Sequence, residues 1–209
     1  AASIIPNNTN TVHYLSYPNN TTGTVTFSIY AKSNGYNFIF LHLYDGSNGR
    51  AWFNLENGQV ETTDASITSK IESVGSGWYR CIITRVLTGS LIQADIAVSN
   101  ADNTVVFPGD GTSGVYIWGA QLEALPYATS YIPTLSGSTE TRATETANGA
   151  GSADLINSTE GVLYAEIAAL SNDGTTRRIS LSDGSISNRV SLELDETSNK
   201  IKAFISNGG

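Results

Sequence analysis

Apolar side chains recur at every second position along most of this chain, and a period of two leaves room for little except β-sheet. In "TVTFSIYAK", Val25, Phe27 and Ile29 fall on one face while Thr24, Thr26, Ser28 and Tyr30 fall on the other. Residues 36–44, "YNFIFLHLY", are nearly continuous in apolar and aromatic side chains, the pattern of a strand covered on both faces. "RAWFNLENGQV" sets Ala51, Phe53 and Leu55 against Trp52 and Asn54, then reaches Asn57-Gly58, a strong hairpin signal. "GWYRCIITRV", "SLIQADIAVSN" and "GVYIWGAQLEAL" supply three further strands. No window holds a convincing helical period. In "ASITSKIESVG" the spacing of Ile67, Ile71 and Val74 would also suit a short helix, but the β-branched content and the following glycines favour strand or loop.

Short Gly, Asn, Asp and Ser clusters between these runs give the spacing of an all-β sandwich or jelly roll. The punctuation then changes character. From residue 134 to 154 hardly an aliphatic side chain occurs, which reads as a linker. Alternation resumes in "EGVLYAEIAAL", "RRISLSD", "NRVSLELDE" and "NKIKAFISNGG". The expected organisation is therefore a jelly-roll module over 1–135, a linker over 136–154 and a second β-sandwich opening over 155–209. Some 55 residues of strand bury too little surface to close a sandwich, so this second unit is expected to be incomplete.

Charge and reactive groups narrow the function classes. The 209 residues carry a formal net charge of −8 with only 14% charged side chains, and no Lys/Arg cluster beyond Arg177-Arg178. Such a chain is repelled by phosphate backbones and anionic lipid, which excludes nucleic acid and membrane surface as expected partners. No apolar run approaches the roughly 20 residues of a membrane span. The start, "AASIIPNNTN", lacks the basic and apolar regions of a signal peptide and reads as a fragment boundary. The sequons at Asn7, Asn19, Asn20 and Asn157 arise by chance in so Asn/Thr-rich a chain and imply no glycosylation.

Cys81 is the sole cysteine, so no intrachain disulfide or thiolate zinc site is available, and it reads as a small buried hydrophobe. His42, between Leu41 and Leu43, reads as a packed strand residue, and no G-x-S-x-G elbow accompanies it. Glycoside hydrolysis needs two carboxylates about 5–10 Å apart, yet Glu56, Glu61, Asp95 and Glu123 are scattered along the chain. The expectation is a protein that is not an enzyme. "SNADNTVVFPGDG" offers Asp102, Asn103 and Asp110 as hard oxygen donors for a structural Ca²⁺, with Asx turns capping a hairpin the favoured reading. No other cofactor is expected.

Three strings taken together, "GSGWYRC" (75–81), "GVYIWGAQLE" (114–123) and "ATSYIPT" (128–134) followed by "TRATE", resemble a jelly-roll module of bacteriophage tail-fibre, head-fibre and adhesin proteins. That module is similar in layout to carbohydrate-binding modules of polysaccharide-degrading enzymes, and the likeness spans about residues 20–147. The part from 155 onward resembles the start of a concanavalin-A-like (laminin-G-like) sandwich. The resemblance implies a virion-surface fibre or tail component that binds host glycans, contacts other virion proteins and assembles as a trimer. A module of a secreted polysaccharide-degrading enzyme and a purely structural decoration protein are the alternatives. It also implies a Ca²⁺ acid in the last strand, where this chain has Gly119-Ala120-Gln121.

A sugar site of this kind uses an exposed aromatic platform beside amides, because a pyranose has an apolar C–H face and a hydroxyl rim. Trp52 is the expected platform, with Arg50 and Asn54 on its face and Tyr44 opposite across a hairpin; the competing reading packs Trp52 beneath a loop or a neighbouring subunit. Trp118 is expected in the core, in a strand with large residues on both faces. Gly119 beside it is expected to make room for an approaching strand or ring.

Overall fold

The computed structural model describes residues 1–134, 139–141, 160–167, 176–195 and 200–208. The chain divides into two compact units, Ala1–Thr141 and Arg142–Gly209. Among the described residues every regular element is a strand. Most of the linker expected over 136–154 lies outside the described residues.

Unit 1 begins with β1 (Ala2–Ile4), β2 (Asn10–Thr11), β3 (His13–Pro18) and β4 (Thr24–Asn34). There follow β5 (Phe38–Tyr44), β6 (Arg50–Asn54), β7 (Gln59–Thr63) and β8 (Ile67–Gly75). It closes with β9 (Trp78–Val86), β10 (Gln93–Ser99), β11 (Phe107–Pro108) and β12 (Gly114–Glu123). Two five-stranded antiparallel sheets result, sheet I in the order β1-β12-β4-β9-β8 and sheet II in the order β3-β10-β5-β6-β7, with β2 and β11 as a small ribbon. The chain passes from one sheet to the other between β3 and β4, β4 and β5, β7 and β8, β9 and β10, the crossings of a jelly-roll sandwich.

Alternation decides what lies between the sheets. Val25, Phe27 and Ile29 of β4, Cys81 and Ile83 of β9 and Val115 of β12 face Ile39, Leu41 and Leu43 of β5 and Phe53 of β6. Each fully buried Leu, Ile or Phe contributes about 1.5–3 kcal/mol. The expected two-sided burial of β5 holds: Phe40 and His42, on its other face, are also buried. The ambiguous segment is a strand from Ile67 to Gly75, with Ile67 and Ile71 turned to the core while Val74 stays exposed. Asn57-Gly58 forms the turn between β6 and β7, and Gly58 takes a φ of 70° there.

One polar knot ties the sheets together. Arg85, on the core face of β9, reaches across to sheet II, donating to the Leu43 carbonyl (2.5 Å) and the Ser47 carbonyl (3.0 Å) and pairing with Asp45 (3.0 Å). Burial works to raise the Asp45 carboxyl, but hydrogen bonds from Thr88 and Ser47 overcome it and hold the group well below the usual carboxylate range.

Unit 2 contains β13 (Arg177–Ser182), β14 (Arg189–Leu194) and β15 (Ile201–Ser206), which form one antiparallel sheet in that order. Its register places Ile179, Leu192 and Ala203 in one row and Leu181, Val190 and Ile205 in the next. Arg178–Glu193 (3.3 Å) and Lys202–Asp195 (2.8 Å) pair on this sheet.

Candidate functional site

The outer face of sheet II holds the residues expected to bind sugar. Trp52 does point outward from β6, but it is 1% exposed and does not form a platform. The segment 100–106, between β10 and β11, folds over it. The Trp52 indole N–H donates to the Thr104 carbonyl (3.3 Å), and Val105 and Val12 close over the Phe40–Trp52 pair, whose ring centroids lie 5.0 Å apart. Asp102 pins this roof to β7 by accepting from the Thr62 backbone N–H (3.0 Å) and hydroxyl (2.7 Å). Ser99 donates to the Ala101 and Thr104 carbonyls from below.

The remaining members of the expected site are arranged differently from the expectation. The residue facing Trp52 across the hairpin is Phe40, because β6 begins with Arg50 opposite His42 and leaves Tyr44 beyond the pairing. Tyr44 is opposite Gln93 instead. Asn54 is buried, donating to Glu61 (3.2 Å) and accepting from the Glu56 N–H (3.0 Å). Beside Arg50, His42 and Asp95 meet at 2.8 Å with both side chains buried. Burial pushes the Asp95 carboxyl up, but hydrogen bonds from His42, Ser16 and Gln93 leave it below the ordinary value.

The two Ca²⁺ candidates serve as separate hydrogen-bond acceptors. Asp102 holds the roof. Asp110 caps a turn through the Thr112 N–H (2.8 Å) and Ser113 N–H (2.7 Å), and its bonds to Ser113 and Thr112 draw its pKa down to about 2. Among the described residues no three His, Cys, Asp or Glu side chains gather as a metal group would require.

Sheet I carries the open aromatic surface. A row across β12, β4, β9 and β8 runs Trp118, Tyr30, Arg80, Glu72. Trp118, expected in the core, is 47% exposed. It shares the outward face of β12 with Tyr116, opposite Val115 and Ile117, and a bulge, where the register with β4 shifts between Trp118 and Gln121, turns Leu122 to the core in its place. Up to Trp118 the odd residues Val115 and Ile117 face the core, and after the bulge Leu122 does. Gly119, at a φ of 63°, makes this shift feasible. A Cβ there would stand 3.0 Å from the Tyr30 ring and 3.3 Å from the Tyr131 ring, the close approach expected of this glycine.

Tyr131 arrives on a strap that runs from the end of β12 back over sheet I. Arg80 donates to the Thr129 carbonyl (2.6 Å) and to Ser28 (3.0 Å), Thr26 donates to the Leu125 carbonyl (2.7 Å), and Gln121 accepts from the Ile132 N–H (2.7 Å). Glu123 accepts from the Thr129 N–H (3.0 Å). The three strings that carry the family resemblance are thus one interlock: Arg80 from the first, Gln121 and Glu123 from the second, Thr129 to Ile132 from the third. Tyr131 lies 4.7 Å from Trp118 and Tyr30 lies 5.0 Å from it on the other side. Next to them Trp118, Tyr30 and Trp78, with Val74, Gly75 and Ser76, line an open depression of about 370 Å³. Lys32 reaches the same turn, donating to the Ser76 carbonyl (2.9 Å).

Sequence reasoning passed over Tyr30, Trp78 and Tyr131. The available signal for Tyr30 and Trp78 was aromatic side chains at outward positions of strands that become neighbours only once the sheet order is known, whereas Tyr131 lies outside any strand.

The thiol and four of the carboxylates weighed above are buried or hydrogen-bonded, while the His42 Nε2 is buried without a hydrogen-bond partner. Cys81 is buried, which pushes its thiol far up. Glu56 accepts from Asn37, Glu61 from Asn54, Glu123 from Thr129 and Asp95 from His42. No family model matches the chain, and no curated protein matches it.

Proposed function

We propose that this chain is a non-catalytic recognition module that holds surface glycans on the outer face of sheet I, as part of a bacteriophage fibre or tail. The observation that carries the reading is the open depression lined by Trp118, Tyr30 and Trp78. Flat aromatic surface is what the C–H face of a pyranose packs against, and the site's polar neighbours at Ser76 and Lys32 suit its hydroxyl rim. The virion setting rests on the resemblance of the three strings discussed above. The non-catalytic reading draws support from carboxylates that are individually tied to structural donors and from a buried thiol.

A glycan array probed with the whole chain tests this. The expected result is retention on at least one surface polysaccharide class, with no reducing sugar released from it. Failure to bind any glycan, with retention only by other virion proteins, would replace glycan recognition with a purely structural role. Sugar release abolished by a single Asp or Glu substitution would make the chain an enzyme.

A further inference from the structure

We propose that β3 is a pairing edge through which two copies of this chain join their second sheets into one continuous antiparallel sheet. A sandwich of two open sheets has four edge strands, and exposed edges are normally blunted by brevity, charge or bulges. Three edges here are blunted in those ways. β1 has three residues. β8 carries Lys70 and Glu72, which pair at 2.6 Å, and its register breaks near Gly75. β7 carries Glu61 and an irregular register against β6. β3 has none of these devices along its first five residues: it runs from His13 to Pro18 in unbroken register with β10, blunted only by Pro18 at its end, and among the described residues no strand lies on its other side.

The side chains of this edge suit another copy of itself. Tyr14, Leu15 and Tyr17 each expose half or more of their surface, so both faces of the strand are apolar and open. No Asp, Glu, Lys or Arg occurs anywhere in residues 1–31, whereas the chain as a whole carries −8. Two copies repel each other over most of their surface, and this strip is where they approach without like charges in contact. A two-fold axis through Ser16, normal to the sheet, keeps core faces aligned and sets Leu15 of one copy against Tyr17 of the other, twice. Aromatic–aliphatic cross-strand pairs of that kind stabilise antiparallel ladders. Pro18 ends the ladder because it lacks an N–H.

An edge about 20 Å long, from six residues at roughly 3.3 Å each, makes an interface below the size of permanent dimers. The expected state is a reversible dimer in the micromolar range. Sedimentation of the full chain over a hundredfold concentration range, beside a Leu15→Lys/Tyr17→Lys variant, tests this. Wild type should pass from monomer to dimer, and the variant should associate about a hundredfold more weakly or not at all. Below the dissociation constant of the dimer its melting temperature should match wild type, because both side chains are already half exposed, while above it wild type should melt higher as the dimer forms. Hydrogen exchange provides a second readout: amides of residues 14–17 that do not bond β10 should gain protection as concentration rises. A wild type that stays monomeric, a dimer that survives the double substitution, or a trimer as the sole oligomer would overturn the proposal.

Discussion

Trp52 and Trp118 stand at equivalent places in their strands, each turned away from the core face, yet one is sealed and the other open. The difference lies in what the following loop does. Over Trp52 the segment 100–106 lays Val105 flat and supplies a carbonyl to the indole N–H. Over Trp118 the strap after β12 brings a single ring, Tyr131, to one side and is held by polar bonds further along the strand. An outward position in an alternating strand therefore fixes direction, while exposure is decided by irregular chain elsewhere in the sequence.

Several substitutions and one titration would break or sharpen this contrast. Trp52→Ala should have the largest effect, lowering stability by about 3–5 kcal/mol in denaturant unfolding, as loss of a buried aromatic does. Acid comes next. Asp45, in the turn after β5, and Asp95, on β10, have folded pKa values below the unfolded value of about 3.9. The unfolded chain therefore binds protons first, so their stabilisation is whole at neutral pH and lost as pH falls from about 5 towards the folded values. Unfolding midpoints should decline across that window, and the Asp45→Asn variant should decline less.

Gly119→Ala tests the bulge beneath the open tryptophan. It should cost about 1–3 kcal/mol, since the backbone is left-handed there and the methyl would press on Tyr30. Asp102→Ala unpins the roof over Trp52; a stability loss of about 1 kcal/mol and a rise in acrylamide quenching are expected. Trp118→Ala should be the mildest, about 1 kcal/mol or less, because it removes ring contacts from a half-exposed side chain. A larger loss for Trp118→Ala than for Trp52→Ala would reverse the assignment of the two environments.

The sandwich was legible in the sequence because alternation is a local property: β4, β5 and β6 announce their core faces within a few residues of themselves. The β6–β7 turn was legible for the same reason, since Asn57-Gly58 names its own geometry. What alternation could not reveal was the roof over Trp52, built from a stretch with no period and joined to β7 through Asp102, 40 residues from Thr62. Nor could it locate the bulge. A glycine in a strand permits a close approach or a change of register, and Gly119 does both. The aromatic surface combines β4, β9, β12 and the strap, so its members are neighbours only through a sheet order in which β12 lies between β1 and β4. The strings "GSGWYRC", "GVYIWGAQLE" and "ATSYIPT", the first far in sequence from the other two, supply the partners of one interlock through Arg80, Gln121, Glu123, Thr129 and Ile132.

The most direct measurement is calorimetric titration of wild type and Trp118→Ala with fragments of a polysaccharide retained by the wild-type chain, each protein's melting temperature recorded alongside. Loss of stacking worth about 0.5–1.5 kcal/mol corresponds to up to roughly tenfold in affinity. Trp118→Ala should bind up to about tenfold more weakly while melting within a few degrees of wild type. Equal affinity in the two proteins, with melting also unchanged, would contradict this by placing the sugar away from the Trp118 surface.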